Sequence, residues 1–126
     1  GFSDALAIKE CVDQGWIKVW ELDERDIELS QRLAEQAFEI HIGEAQAIIL
    51  ARKINALLLM DESSGRALAE ALGLKVKGTL YVVMKATGEK LLTRAKAKEI
   101  VLTLVNKGFR IEPKLLARIL REIEHS

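Results

Sequence analysis

Residues 43–62 constrain this chain more than any other stretch. Apolar side chains at Ala45, Ala47, Ile48, Ile49, Leu50, Ala51 and Ile54 cover most of the circumference of a helix, which must therefore be largely enclosed. The apolar block 56–60 that follows is too short for a helix and is bounded by polar residues, so it reads as a strand covered on both faces. Carboxylates stand at the outer ends of this pair, Glu44 opening the helix and Asp61 and Glu62 closing the strand. In an open parallel sheet the carboxyl end of a strand and the amino end of a neighbouring helix share one rim, and ligands bind there.

Around this pair, helical and strand signals alternate. Ser3 caps a helix over residues 4–14, with Leu6, Ala7, Cys11 and Val12 at helical spacing and Gly15 as a left-handed stop. Residues 16–22, rich in aromatic and β-branched side chains, read as a strand whose tryptophans, Trp16 and Trp20, pack rather than bind bases. Ile27, Leu29, Leu33, Ala34, Ala37 and Phe38 mark an amphipathic helix over residues 25–38, with Glu28, Glu35 and Glu39 on its wet face.

Past the 56–60 strand, Ser63 or Ser64 caps a helix bearing Ala67, Leu68, Ala71 and Leu72, and residues 75–77 form a last short strand. Helices follow over 80–86, ending at Gly88, over 95–107, and from Pro113 onward, where Leu115, Leu116, Ile119, Leu120 and Ile123 form one stripe. Strands alternating with helices predict an α/β fold with a parallel sheet and helices on both faces. Three strands are few for such a sheet, and the chain opens with Gly1 and a helix. The expectation is that an amino-terminal strand and its following segment are missing.

A length of 126 residues with 49% hydrophobic side chains suits one domain with its own core. The single Cys11 excludes an intrachain disulfide, and with only His41 and His125 beside it no zinc-type cluster is available. A reducing, cytoplasmic setting is the simpler reading, and no apolar run approaches the ~20 residues that span a bilayer. Net charge is zero, but residues 1–63 carry 6 Lys/Arg against 13 Asp/Glu and the remainder carries 13 against 6. Either the halves face each other across the fold, or carboxylates hold cations while a separate basic surface takes a polyanion. The candidates for that surface are Lys75, Lys77 and Lys96, with Lys85, Lys90, Arg94 and Lys98 in support.

Four stretches in this order, His41-Ile42-Gly43-Glu44-Ala45-Gln46-Ala47, Leu57-Leu58-Leu59-Met60-Asp61-Glu62, Leu72-Gly73-Leu74-Lys75-Val76-Lys77-Gly78-Thr79-Leu80 and Gly108-Phe109-Arg110-Ile111, resemble the PIN-like family of small prokaryotic proteins related to VapC-type toxin ribonucleases. The resemblance implies a three-layer α/β/α fold, an acidic cluster binding Mg²⁺ or Mn²⁺, and metal-dependent cleavage of RNA. It also implies a small antitoxin protein as a partner. Glu44 matches the acid of the Gly-Glu motif, and Asp61 with Glu62 matches an acidic pair after the strand. The family pair is usually Asp-Asp, so Glu62 departs by one methylene. Relatives also begin with an aspartate-bearing strand and a helix with another acid, and neither has a counterpart here.

Chemically, phosphodiester hydrolysis needs an activated water and neutralised phosphoryl charge, and divalent ions supply both. Mg²⁺ takes oxygen ligands at about 2.0–2.1 Å and keeps several waters, so few protein carboxylates are needed. The expectation is that Glu44, Asp61 and secondarily Glu62 hold the metal and carry catalysis. Structural readings stand beside it: Glu44 also suits the positive end of a helix, and Asp61 also suits a turn or cap. Ser63-Ser64-Gly65 with Arg66 lacks the spacing and lysine of a phosphate loop, so capping is assigned there. Two rivals remain open, a noncatalytic module binding RNA or protein, and a truncated form that self-associates through strand edges into a homo-oligomer.

Overall fold

The computed structural model describes residues 2–37 and 39–125. Along them run α1 (Phe2–Asp13), α2 (Glu24–Gln36), α3 (Ile42–Ile54), β1 (Leu58–Leu59), α4 (Ser63–Ala71), β2 (Val76–Lys77), α5 (Thr79–Gly88), α6 (Arg94–Asn106) and α7 (Pro113–Glu124). The molecule is mostly helical with a small parallel sheet, so the expected α/β class holds. Leu58 lies beside Val76 and Leu59 beside Lys77. Ladder bonds run from the Leu58 N–H to the Lys75 carbonyl at 3.0 Å and from the Met60 N–H to the Lys77 carbonyl at 2.8 Å. Helix α4 supplies the crossover that a parallel pair requires.

Alternation along β1 and β2 turns Leu58 and Val76 to one face, where they are buried with Ile48 and Ala51 of α3 and Ala69 of α4. Leu33 brings α2 onto the same core. Helices α2 and α3 run antiparallel, because Lys53 near the end of α3 reaches back to the start of α2. Its ammonium lies 2.6 Å from Asp26 and 3.4 Å from Asp23. Asp23 caps α2 by accepting the Asp26 N–H at 2.8 Å.

A second core, Val83, Ala97, Val101, Ile119 and Ile123, joins α5, α6 and α7. The stripe expected on α7 builds it, and Pro113 stands in the first turn of that helix as expected. At the end of α6 Gly108 takes a φ of 94°. That lets the Phe109 N–H reach the Leu104 carbonyl at 2.9 Å and turns the chain back toward α7.

Three expectations need correction. Residues 16–22 form no strand: the segment is irregular, with Trp16 83% and Val19 74% exposed, so Trp16 does not pack, while the half-exposed Trp20 borders a recess with Leu22, Ile27, Ala47 and Leu50. Strand propensity measures fit against a pleated neighbour, and among the described residues this segment has none. The strand at 56–60 is shortened to β1 and covered on one face only, with Leu57 and Leu59 exposed, because α3 and α4 both pack on the Leu58 side. Neither serine caps α4. Glu62 holds the N-cap position without a side-chain bond, and the Ser64 hydroxyl donates to Glu39 at 3.2 Å instead. Helix α5 ends at Gly88 as expected, and Lys90, with a φ of 61°, makes the left-handed turn beyond it. Phe38, the last apolar position expected of α2, lies outside the described residues. Among those residues no helix is long and apolar enough to cross a membrane.

Candidate functional site

The end of β1 delivers Asp61 to the start of α5, 18 residues further on in the chain. One carboxylate oxygen accepts the Thr79 N–H at 2.8 Å and the other accepts the Thr79 hydroxyl. First-turn N–H groups have no partner within their own helix, and a negative charge there meets the positive end of the helix dipole. Asp61 therefore anchors α5 to the sheet. Gly78 makes this approach feasible. A Cβ at that buried position would collide with the Asp61 carboxylate and stand 3.1 Å from Arg66 Nη1.

Glu44 sits in the first turn of α3. Its Oε1 accepts the His41 N–H at 3.2 Å, one half of a capping box. Its Oε2 is buried and has no hydrogen-bond partner. A Cβ on Gly65 would meet that oxygen at 2.8 Å and collide with the Met60 thioether. Glu44, Met60 and the first turn of α4 are thus packed together, and Asp61 follows Met60 in the chain. The two acids lie against neighbouring parts of α4, Glu44 at Gly65 and Asp61, across Gly78, beside the Arg66 guanidinium. Glu62 is exposed at the N-cap of α4. His41 and His125 are both exposed, at the N-cap of α3 and the C-cap of α7.

A buried carboxylate oxygen without a donor is costly by itself and is satisfied by a cation. Each Asp61 oxygen keeps a further lone pair after bonding Thr79. Glu44 and Asp61 therefore fit as the protein ligands of a Mg²⁺-type ion, which is commonly held through one or two carboxylates with the rest of its shell water. Among the described residues no group of three or more His, Cys, Asp or Glu side chains is placed to hold a metal.

The basic candidates separate. Lys77 lines a cleft of about 520 Å³ that Asp61 also lines, and its ammonium stands 5.5 Å from the centre of the Tyr81 ring. Lys75 does not reach that cleft but shares a neighbouring recess with Lys77 and Tyr81, and Lys96 on α6 pairs with Glu99 at 3.6 Å. The cleft beside Asp61 takes its remaining cations from Arg66, Arg110 and Arg118, none of which the charge pattern singles out as nucleic-acid contacts. The signal was present in pieces: Arg66 follows Gly65 in the first turn of α4, Arg110 follows the Gly108 reversal, and Arg118 borders the α7 stripe.

A family model described as a PIN domain matches residues 1–125 of the chain, which bears out the PIN-like part of the resemblance. No curated protein and no solved structure matches.

Proposed function

The chain belongs to the PIN-domain family, and from that premise we propose that it is a domain for divalent-metal-dependent cleavage of RNA, with Glu44 and Asp61 as metal ligands and Glu62 secondary to them. The observation that carries the reading is the buried, unpartnered Oε2 of Glu44 beside the end of β1. PIN domains generally use divalent metals, and Mg²⁺ or Mn²⁺ bound here would activate water and neutralise phosphoryl charge. The chain's own contribution is placement. The bond to His41 fixes the Glu44 carboxyl on its helix, and the two bonds from Thr79 fix Asp61 at the mouth of the cleft. The assignment of the chain as the toxin of a toxin–antitoxin pair, with a small antitoxin partner, is supported by the sequence resemblance alone.

Calorimetric titration with Mn²⁺, followed by an RNA cleavage assay, tests the reading. Glu44→Gln combined with Asp61→Asn keeps side-chain shape and removes both charges, so binding and cleavage should both vanish. Cleavage unchanged in that variant would overturn the site.

One observation favours a second reading, a noncatalytic member that binds RNA through the same fold: among the described residues no group of three or more acidic, His or Cys side chains is placed to hold a metal, where a fuller ligand set would be expected of a nuclease. RNA bound without cleavage, and unaffected by chelation, would select it.

A further inference from the structure

We infer that the cleft between the start of α4 and α7 is a binding site for single-stranded RNA backbone, held through Arg66 and Arg110, which adjoins the carboxylate rim and shares Asp61 with it. The inference deepens the reading above and rests on it for the choice of RNA. Arg66, Lys77, Arg110 and Arg118 line the cleft, and Tyr81 and Phe109 contribute half-buried rings. Two of the cations are already engaged. Arg118 faces Glu122 at 3.9 Å, and Lys77 stands over the Tyr81 ring. The other two are not: among the described residues, neither the Arg66 nor the Arg110 guanidinium has an ion-pair or hydrogen-bond partner. Both remain available to an incoming anion.

The opposing charges in the cleft are Asp61, whose oxygens accept two bonds from Thr79, and Glu122, which is paired with Arg118. Four cations against these two carboxylates leave the cleft positive, and Arg66 and Arg110 are the two cations without a partner among the described residues. A guanidinium presents a planar fork of donors that matches a phosphate bidentately. Rings beside it offer faces on which bases stack without regard to sequence. An acidic peptide would use the forks and leave the rings idle, whereas a nucleotide uses both. About 520 Å³ is within the range of sites that enclose a small ligand, so the cleft can hold a nucleotide unit with the strand continuing past it. Since Asp61 lines the same cleft, a strand seated here would pass the metal rim.

The test is fluorescence anisotropy of a labelled ten-nucleotide single-stranded RNA with the full chain, in chelator so that no cleavage occurs. Arg66→Gln with Arg110→Gln should weaken binding about tenfold at low salt and reduce the salt slope by about 1.4, the value for two lost phosphate contacts on a single strand. Arg110→Gln alone, at an exposed position that the fold does not need, should give about half of that slope change. Arg110→Lys should bind between the two, because it keeps the charge and loses the fork. Lys96→Gln should leave binding unchanged.

Unchanged affinity in both glutamine variants, or competition by polyglutamate as strong as by unlabelled RNA, would overturn the inference. The two readings fail separately. Cleavage with Mn²⁺ that depends on Glu44 and Asp61 but not on the arginines would sink the cleft and leave the nuclease. RNA binding that depends on the arginines in a chain that cleaves nothing would sink the nuclease and leave the cleft.

Discussion

The two ends of the chain carry similar apolar material and use it in opposite ways. Toward the amino end, Leu6, Ile8, Trp16, Ile17, Val19 and Trp20 are exposed, and the strand-prone run 16–22 stays irregular. Toward the carboxyl end, α5, α6 and α7 bury Val83, Val101, Ile119 and Ile123 against one another. Hydrophobicity does not separate the two regions. The difference is a complementary surface: each helix of the bundle meets two others, whereas among the described residues α1 packs on no other helix to a comparable extent and the segment after it touches α2 and α3 through Trp20 and Leu22 at the edge of a recess. Propensity proposes an element, and burial against a partner decides whether it exists.

That contrast can be broken by mutation. The largest expected effect is at Ile123, which is completely buried in the bundle. Ile123→Ala should lower the unfolding free energy by about 2–5 kcal/mol, read by urea denaturation followed by circular dichroism. Gly78→Ala comes next, at about 1–3 kcal/mol, because the added methyl displaces the Asp61 carboxylate or Arg66. Its counterpart sharpens the point. A Cβ at Gly88 meets nothing within 4 Å, so Gly88→Ala should be neutral or stabilising by about 0.5–1 kcal/mol in the same experiment.

A smaller effect is expected from the Lys53 clamp between α2 and α3. The Asp26 N–H, with Lys53 nearby, holds the Asp23 carboxyl below its ordinary range, and the bond to Asp26 holds the Lys53 ammonium above its own. A lowered acid stabilises the fold above its unfolded value and stops doing so as pH falls through the folded one. A raised base stabilises below its unfolded value and stops as pH rises through the folded one. The melting-temperature difference between wild type and Lys53→Met should therefore be flat through neutral pH and shrink below about pH 4. A difference that grows in acid would reverse the assignment. Smallest of all should be Trp16→Ala, within about 0.5 kcal/mol of wild type despite the loss of an indole. A cost as large as that of Ile123→Ala would mean that the exposed amino-terminal region is packed after all, and the comparison would fall.

Much of the fold was legible because periodicity reports on burial. The helices were placed within a few residues, the block around Leu58 and the segment at Val76 do pair in parallel, and the α7 stripe forms a core. The failures share one cause. Residues 16–22 have the composition of a strand, but composition cannot say whether a ladder partner is present. Leu57 and Leu59 look as apolar as Leu58, but which face α3 and α4 cover is decided by tertiary packing. At the rim, the sequence put acids at a helix start and a strand end. It could not show that Asp61 would be bound by Thr79 or that one Glu44 oxygen would be left without a donor. The arginines of the cleft were hidden for the same reason, since residues 66, 110 and 118 are distant in the chain and meet only across α4, the loop before α7 and α7 itself.

The bonds from Thr79 give Asp61 a second duty with its own consequence. Through them one side chain joins the sheet to the entrance of the three-helix bundle, and the same oxygens face the rim. Any ligand that draws charge from this carboxylate competes with the amide and hydroxyl of Thr79. Any shift of α5 in turn alters what the carboxylate can offer. Occupancy and bundle seating are then coupled through a single joint, and thermodynamic reciprocity requires each to respond to the other by the same factor.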